Sequence, residues 1–169
     1  FLCLDCELPE PGNYKTTFVG DTPVIVVRDE DGAVNAMVNR CAHKGALVCY
    51  KPRGNVRELT CVYHNWVYDL RGNLTGVAFG RGVAGKGGLG PEFDREAHGL
   101  ERLRVEVCRG LVFATFSDEV APLHDFLGPD ARENMERVVG RKMRLLGTYG
   151  QTMPNNWKLY MENVRDSYH

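Results

Sequence analysis

The stretch that decides the fold is Cys41-Ala42-His43, followed after 17 residues by Cys61-Val62-Tyr63-His64. Each segment brings one thiol and one imidazole together within three or four residues. Thiolate sulfur and imidazole nitrogen are ligands that zinc and some iron–sulfur clusters share. Two such segments, each in a tight loop, can hold a metal centre between them. We therefore expect these two Cys and two His side chains to be metal ligands.

Two kinds of metal centre fit this spacing. Zinc would take two Cys and two His in one tetrahedron. A Rieske [2Fe–2S] cluster would have both Cys on one iron and both His on the other. Zinc sites usually pair Cys with Cys, whereas each segment here mixes the two residue types, which favours the cluster. A third interpretation is that the four residues are buried without a shared role, but the matching segments argue against it.

Short β-strands are predicted on both sides of these segments. Residues 14–19 and 23–28 are rich in β-formers, and Asp31-Gly32 separates the second run from residues 33–38, which is a hairpin signal. A later pair of runs, 103–108 and 111–116, is joined by Arg109-Gly110. Short strands at this spacing predict an all-β sandwich or barrel.

The remaining segments predict one loop and a few further elements. Residues 76–92 are rich in glycine and should form a long surface loop. A helix is expected at 122–139, with Pro129 near its start and a stop at Gly140, and one more strand at 143–153.

A second helix is expected at 156–169. Five apolar residues recur there at helical spacing and predict a face that packs on a core. These residues are Trp157, Tyr160, Met161, Val164 and Tyr168.

The composition narrows the functional class. The 169 residues are 43% hydrophobic and 25% charged, which fits a folded domain, or one domain and the start of another. The net charge of −1 argues against a nucleic-acid or membrane-surface protein, and no apolar run approaches the roughly 20 residues that span a bilayer. Six cysteines in such a chain need no disulfide framework, so we expect a reducing, cytoplasmic location.

The signature with Gly45 after its first segment and Asn65-Trp66 after its second resembles the Rieske domain of aromatic-ring-hydroxylating oxygenases. The resemblance implies that the four Cys and His side chains hold a [2Fe–2S] cluster. Quinol-oxidising Rieske proteins carry an additional Cys in each loop, where this chain has Ala46 and Tyr63, and Lys44 replaces the Arg usual in the oxygenases. The disulfide-free type implies a potential at the lower end of about −150 to +300 mV.

The end of the chain carries a second match to this family. The segments 156–158, 162–163 and 166–169 resemble the opening of the catalytic domain in oxygenase α subunits. The resemblance implies that His169 is the first ligand of a mononuclear non-haem iron, completed by a second His and a carboxylate beyond this chain. It implies that Asp166 bridges His169 and a cluster-binding His of a neighbouring subunit, here His64. Asn163 is expected near this iron.

The resemblance therefore implies a mainly β protein. Residues 1–150 would form a Rieske-type antiparallel β sandwich with cluster-binding hairpin loops, incomplete at its N-terminus. Residues 151–169 would begin an α+β catalytic domain. Residues 77–116 are most similar to α subunits that act on benzoic-acid analogues such as salicylate, anthranilate or terephthalate.

The implied activity is that of a terminal oxygenase. It would use O₂ and electrons from NAD(P)H, delivered through a reductase with or without a ferredoxin, to hydroxylate an aromatic ring. Its subunit partners would be neighbouring α chains in a trimer, with or without β subunits. The alternative is a Rieske-type ferredoxin that only carries electrons, but such ferredoxins are shorter and have no use for residues 156–169.

Overall fold

The structure is a computed structural model that describes residues 1–168. Its strands lie in two antiparallel sheets. In chain order the strands are β1 (Cys3–Leu4), β2 (Asn13–Val19), β3 (Thr22–Arg28), β4 (Val34–Val38), β5 (Arg53–Asn55), β6 (Leu59–Thr60), β7 (Val67–Tyr68), β8 (Leu74–Gly76), β9 (Arg102–Cys108) and β10 (Leu111–Thr115). The large sheet has the order β1-β10-β9-β4-β3-β2-β5, and the small sheet has the order β6-β7-β8. The predicted mainly β fold of antiparallel sheets is confirmed.

Strand β3 is buried on both of its faces. Its residues from Val24 to Val27 are fully inaccessible to solvent. Because side chains alternate along a strand, Ile25 and Val27 point into one core and Val24 and Val26 into another. A strand with a core on each side needs an apolar residue at every position, which explains this uninterrupted apolar run.

The core that contains Ile25 and Val27 lies between the large sheet and the two Cys/His segments. We call it the loop-facing core. Its other members come from β4 of the large sheet, from the small sheet and from the segments themselves. They include Met37, Leu59, Trp66, Tyr68, Leu74, Cys41 and Cys61. The segments are thus packed onto the sheet through the same apolar contacts that hold the domain together.

Two turns of the domain use the same pattern, Asp-x-x-Gly. The carboxylates of Asp29 and Asp69 each accept hydrogen bonds from the backbone N–H groups two and four residues ahead. Gly32 and Gly72 then adopt φ values of 84° and 83°, which side chains with a Cβ rarely tolerate. These local bonds fix the turns that follow β3 and precede β8.

Substitution of the buried Asp29 by asparagine is expected to destabilise the fold by about 2 kcal/mol. Burial alone would raise the pKa of Asp29, but hydrogen bonds from Asn35, Arg71 and the Ala33 N–H hold it below its ordinary value. Four groups donate to this carboxylate, and an amide has only one oxygen with which to accept. Denaturant unfolding at pH 7 measures the loss.

The pH dependence of the same variant has a defined sign. A lowered carboxyl pKa stabilises the fold above the unfolded pKa of about 4, and this stabilisation disappears as the pH falls through the folded value. The difference in unfolding free energy between wild type and Asp29→Asn should therefore shrink below about pH 4. A difference that stays constant down to acid unfolding would contradict the assigned role.

Most predicted elements outside the C-terminal region are confirmed. Both hairpins form, and residues 77–92 are a loop without a named strand. Helix α1 (Leu123–Val139) is interrupted at Gly128, which has φ 70° and ψ 172°, because Pro129 cannot continue the preceding helix. The predicted strand at 143–153 is wrong, since these residues pair with neither β1 nor β5 at the edges of the large sheet.

Helix α2 (Trp157–Arg165) is shorter than predicted. The side chain of Asn156 caps it by accepting a hydrogen bond from the Lys158 N–H at 3.0 Å. The prediction of a buried apolar face is wrong for the described chain, because even Tyr160 is 43% exposed and no residue of α2 is buried. An amphipathic helix buries this face only where another layer covers it. None of the described helices is long and apolar enough to cross a membrane.

Candidate metal centre

The two Cys/His segments form loops with the same backbone pattern. In each loop the Cys N–H donates to the carbonyl five residues ahead, and the Cys carbonyl accepts from the N–H four residues ahead. The bonds are Cys41 N to Ala46 O (2.8 Å), Gly45 N to Cys41 O (2.9 Å), Cys61 N to Trp66 O (2.8 Å) and Asn65 N to Cys61 O (2.9 Å). Gly45 and Asn65 both have a positive φ, which Gly and Asn tolerate better than other residues.

The two thiols lie on the inner side of the loops. Cys41 and Cys61 are only 4% and 1% exposed. Burial raises the pKa of Cys61, whereas backbone N–H groups of Tyr63 and His64 that point at its sulfur lower it. Such N–H donors stabilise a thiolate, which is the form that binds a metal. The pKa of Cys61 nevertheless stays above its ordinary value, because burial and the neighbouring Cys41 outweigh these donors.

A phenol completes the surroundings of the inner thiols. The Tyr68 hydroxyl lies 3.1 Å from Cys41 Sγ and 3.1 Å from the backbone nitrogen of Ala42. Since the N–H can only donate, the hydroxyl accepts from Ala42 and has its proton available for the sulfur. Burial, and then the bond with Cys41, raises the pKa of Tyr68 well above its ordinary value, so this proton is retained at neutral pH.

The two imidazoles lie on the outer side of the loops. His43 is half-buried and His64 is exposed, and their ring centroids are 4.6 Å apart. Nδ1 of His43 is buried without a hydrogen-bond partner in the described chain, so its lone pair is free to ligate. Burial, and then the nearby His64 and Lys44, lowers the pKa of His43, which favours the neutral form that binds metals.

The four side chains therefore fit a two-metal centre better than a single ion. Within residues 1–168 no group of three or more Cys, His or carboxylate side chains converges on one ion. Two sulfurs instead lie together inside and two imidazoles together outside. A Rieske cluster needs this separation, because each type of ligand belongs to a different iron.

Two of the C-terminal site residues, Asn163 and Asp166, lie at the end of α2. Asp166 follows α2, and its carboxylate accepts a hydrogen bond from the Tyr168 N–H at 3.0 Å. Within the described residues it has no hydrogen bond to His64. The Asn163 carbonyl accepts from the Asp166 N–H at 3.2 Å. His169 lies outside the described residues.

Sequence reasoning missed the Tyr68 contact. The spacing 41–64 identifies possible ligands, but Tyr68 reaches Cys41 from a strand 27 positions along the chain. An aromatic residue in a short strand ordinarily indicates packing, and only the fold shows where its hydroxyl points. Trp66 is buried, and it stacks on His43 with the ring planes 8° apart.

Comparisons with known proteins agree with this geometry. Residues 1–83 match the Rieske [2Fe–2S] domain model. The whole chain is 56% identical to the large subunit of anthranilate 1,2-dioxygenase from Burkholderia cepacia and 50% identical to the α 2 subunit of the terephthalate 1,2-dioxygenase terminal oxygenase component from Comamonas sp. It covers 40% and 41% of these two relatives.

A solved structure, naphthalene 1,2-dioxygenase from Rhodococcus sp. bound to indole, matches the entire chain with a TM-score of 0.89 and 30% identity, over 38% of that protein's chain. The matched fold and the paired Cys/His loops define a Rieske [2Fe–2S] domain. Residues 1–83 therefore belong to the Rieske [2Fe–2S] domain family, and the whole chain is similar to α subunits of Rieske oxygenases, among them the anthranilate and terephthalate enzymes.

Removal of the Tyr68 hydroxyl is expected to lower the midpoint potential of the cluster. A hydrogen bond to a thiolate stabilises the more negative, reduced state more than the oxidised state. If about 1.4 kcal/mol of this difference is lost in Tyr68→Phe, the one-electron potential falls by about 60 mV. Potentiometric titration followed by visible absorbance measures the change.

Tyr14→Phe is the matched control for that titration. Tyr14 is also buried in the loop-facing core, but none of its hydrogen bonds involves Cys41 or Cys61. Its loss should leave the potential near the wild-type value. Equal potentials in wild type and Tyr68→Phe would show that the hydroxyl does not influence the cluster.

Proposed function

We propose that the full-length protein is the α subunit of a terminal oxygenase that hydroxylates a benzoic-acid-like aromatic compound with O₂. One observation carries this proposal. The 56% identity to the anthranilate enzyme covers the whole chain, including residues 84–169, instead of ending with the Rieske domain match at residue 83. A protein that only carried electrons would have no reason to share the later segment.

The proposed cluster ligands are Cys41 and Cys61 on the inner iron and His43 and His64 on the outer iron. When bound, the cluster supplies one-electron transfer. The buried thiols, the N–H groups directed at Cys61 and the free Nδ1 of His43 support this assignment. The loops hold the four side chains in place through their paired backbone bonds, and the loop-facing core excludes water from the sulfur side.

The exposed His64 is the proposed exit for electrons. Its imidazole lies at the protein surface, with Tyr63 beside it at a ring distance of 3.9 Å. We assign Asp166 of a neighbouring subunit as the carboxylate that bridges to His64, His169 as a ligand of the mononuclear iron and Asn163 as a residue near that iron. We propose that the bridge comes from another subunit, since the described chain has no hydrogen bond between its own Asp166 and His64.

The proposed function also implies two domains in this chain and several partner proteins. Residues 1–150 would be the Rieske domain and 151–169 the start of the catalytic domain. A trimer of α chains, with or without β subunits, would provide the inter-subunit bridge. A reductase, with or without a ferredoxin, would deliver electrons from NAD(P)H. All six cysteines are free thiols in the structure, as a protein of the reducing cytoplasm would have.

The test uses the full-length protein in two stages. The reduced protein should show a rhombic EPR signal of the mixed His/Cys type, with two irons and two sulfides per Rieske domain. With NADH and a reductase it should then consume O₂ in step with one of anthranilate, salicylate or terephthalate. A protein whose cluster is reduced while no aromatic acid stimulates O₂ uptake would support the alternative of an electron carrier.

A further inference from the structure

One of the two outer histidines, His43, belongs to a cluster of four aromatic rings. Trp66 stacks on His43 with a centroid distance of 4.8 Å and an interplanar angle of 8°. Phe93 and His98 meet the Trp66 ring edge-on, at 5.8 Å and 5.9 Å. These two rings are also stacked on each other at 4.5 Å. Trp66 is therefore held between His43 and an aromatic pair that comes from a distant segment.

The aromatic pair is anchored by its own hydrogen bonds. Nδ1 of His98 lies 2.6 Å from the carbonyl oxygen of Asp94, so it carries the proton and donates. Arg95 lies between Phe93 and His98 in the sequence. Its guanidinium donates a hydrogen bond of 2.7 Å to the carbonyl of Thr75 on strand β8. The segment 93–98 is thereby tied to the small sheet, whose strands β6 and β7 precede and follow Trp66 in the chain.

The second outer histidine has different surroundings. His64 is exposed, and its ring neighbours are His43 and the exposed Tyr63. A ring stacked on a buried indole cannot rotate freely about its bond to a metal, whereas an exposed ring retains this freedom. The structure thus constrains one imidazole plane and leaves the other open to an approaching partner.

We propose that Phe93 and His98 are positioning residues for the cluster ligand His43, acting through Trp66. They hold the indole edge-on, and the face of the indole sets the plane of the His43 imidazole on the outer iron. This role rests on the ligand assignment proposed above, but not on the oxygenase activity. Neither residue stands out in the sequence, where Phe93 and His98 lie near and beyond the end of a glycine-rich loop.

The test measures the two coordinated imidazoles separately. Full-length protein labelled with ¹⁵N-histidine is reduced, and pulsed EPR records the hyperfine coupling of each ligating nitrogen together with the g values. In Phe93→Ala and His98→Ala one of the two nitrogen couplings should change while the other stays at its wild-type value. His98→Phe retains an aromatic ring and should restore the wild-type spectrum.

Two exposed residues provide matched controls. Phe18→Ala removes an exposed phenylalanine of β2, and His124→Ala removes an exposed histidine of α1, so both should leave the two couplings unchanged. Phe93→Leu replaces Phe93→Ala if the latter fails to retain iron and sulfide. Because leucine fills the space without a ring, the same single coupling should change.

The possible outcomes distinguish the positioning role of Phe93 and His98 from the ligand assignment on which it rests. If the wild-type spectrum lacked two imidazole couplings, His43 and His64 would not both be ligands and the ligand assignment would be wrong. Two wild-type couplings that stay unchanged in both alanine variants, with full iron and sulfide content, would overturn the positioning role alone. If the nitrogen coupling changed as much in His98→Phe as in His98→Ala, ring stacking would not be the cause. The phenylalanine variant keeps the ring and loses only the hydrogen bond to Asp94.

Discussion

The substitution His43→Cys is expected to convert the Rieske centre into one with three sulfur ligands and to lower its midpoint potential strongly. A third thiolate adds negative charge, which makes the reduced state less favourable. The potential should fall from about −150 mV or above towards the value of about −400 mV typical of all-Cys ferredoxins. Redox titration with EPR detection measures both the potential and the change in signal type.

Lys44→Gln is the control for this substitution. It removes a charge one residue away from His43 but no ligand, so the mixed His/Cys signal should persist. Loss of the Rieske signal in His43→Cys, whatever replaces it, agrees with the assignment. An unchanged signal at the wild-type potential would show that His43 does not ligate the cluster.

The substitution Asp166→Asn in the full-length protein is expected to reduce turnover about 100-fold while both metal sites remain filled. An imidazole that ligates a metal donates its other N–H to a carboxylate, and the proposed bridge makes this bond to two imidazoles at once. An amide of the same size has one acceptor oxygen and no charge. Metal analysis, O₂ uptake and single-turnover oxidation of the pre-reduced protein measure the effect.

Glu162→Gln provides the comparison for the bridge. Glu162 lies on the same helix as Asn163, is exposed and carries the same charge as Asp166, but has no proposed contact with either metal. Its turnover should remain near that of wild type. If single-turnover electron transfer in Asp166→Asn proceeds at the wild-type rate, Asp166 is not the bridge.

The strands of the large-sheet hairpins were predictable because their signals are local. The alternation in β2 and β4 and the turns at Asp31-Gly32 and Arg109-Gly110 depend on residues within a few positions of one another. The prediction for 143–153 failed for the opposite reason. A β-compatible stretch becomes a strand only where a sheet edge is free to pair with it, and edges are set by the whole topology.

The four proposed cluster ligands were predictable from the sequence alone, because a tight loop places a Cys and a His beside each other whatever surrounds it. The sequence did not predict which side of the loops faces the interior, because burial depends on how the small sheet packs on the large one. The contact between Tyr68 and Cys41 joins residues 27 positions apart. The stack of Trp66 on His43, supported by Phe93 and His98, depends likewise on distant segments.

The sequence by itself determined the proposed ligands of the centre and the β class of the domain, because both follow from residue type and short-range spacing. The tertiary structure decided which thiols are buried, which imidazole is held and which is exposed. It also showed that Asp166 does not reach His64 within the described part of the chain. The physical reason is that spacing along the chain limits only covalent reach, whereas stacking and hydrogen bonds between distant residues exist only once the sheets have packed.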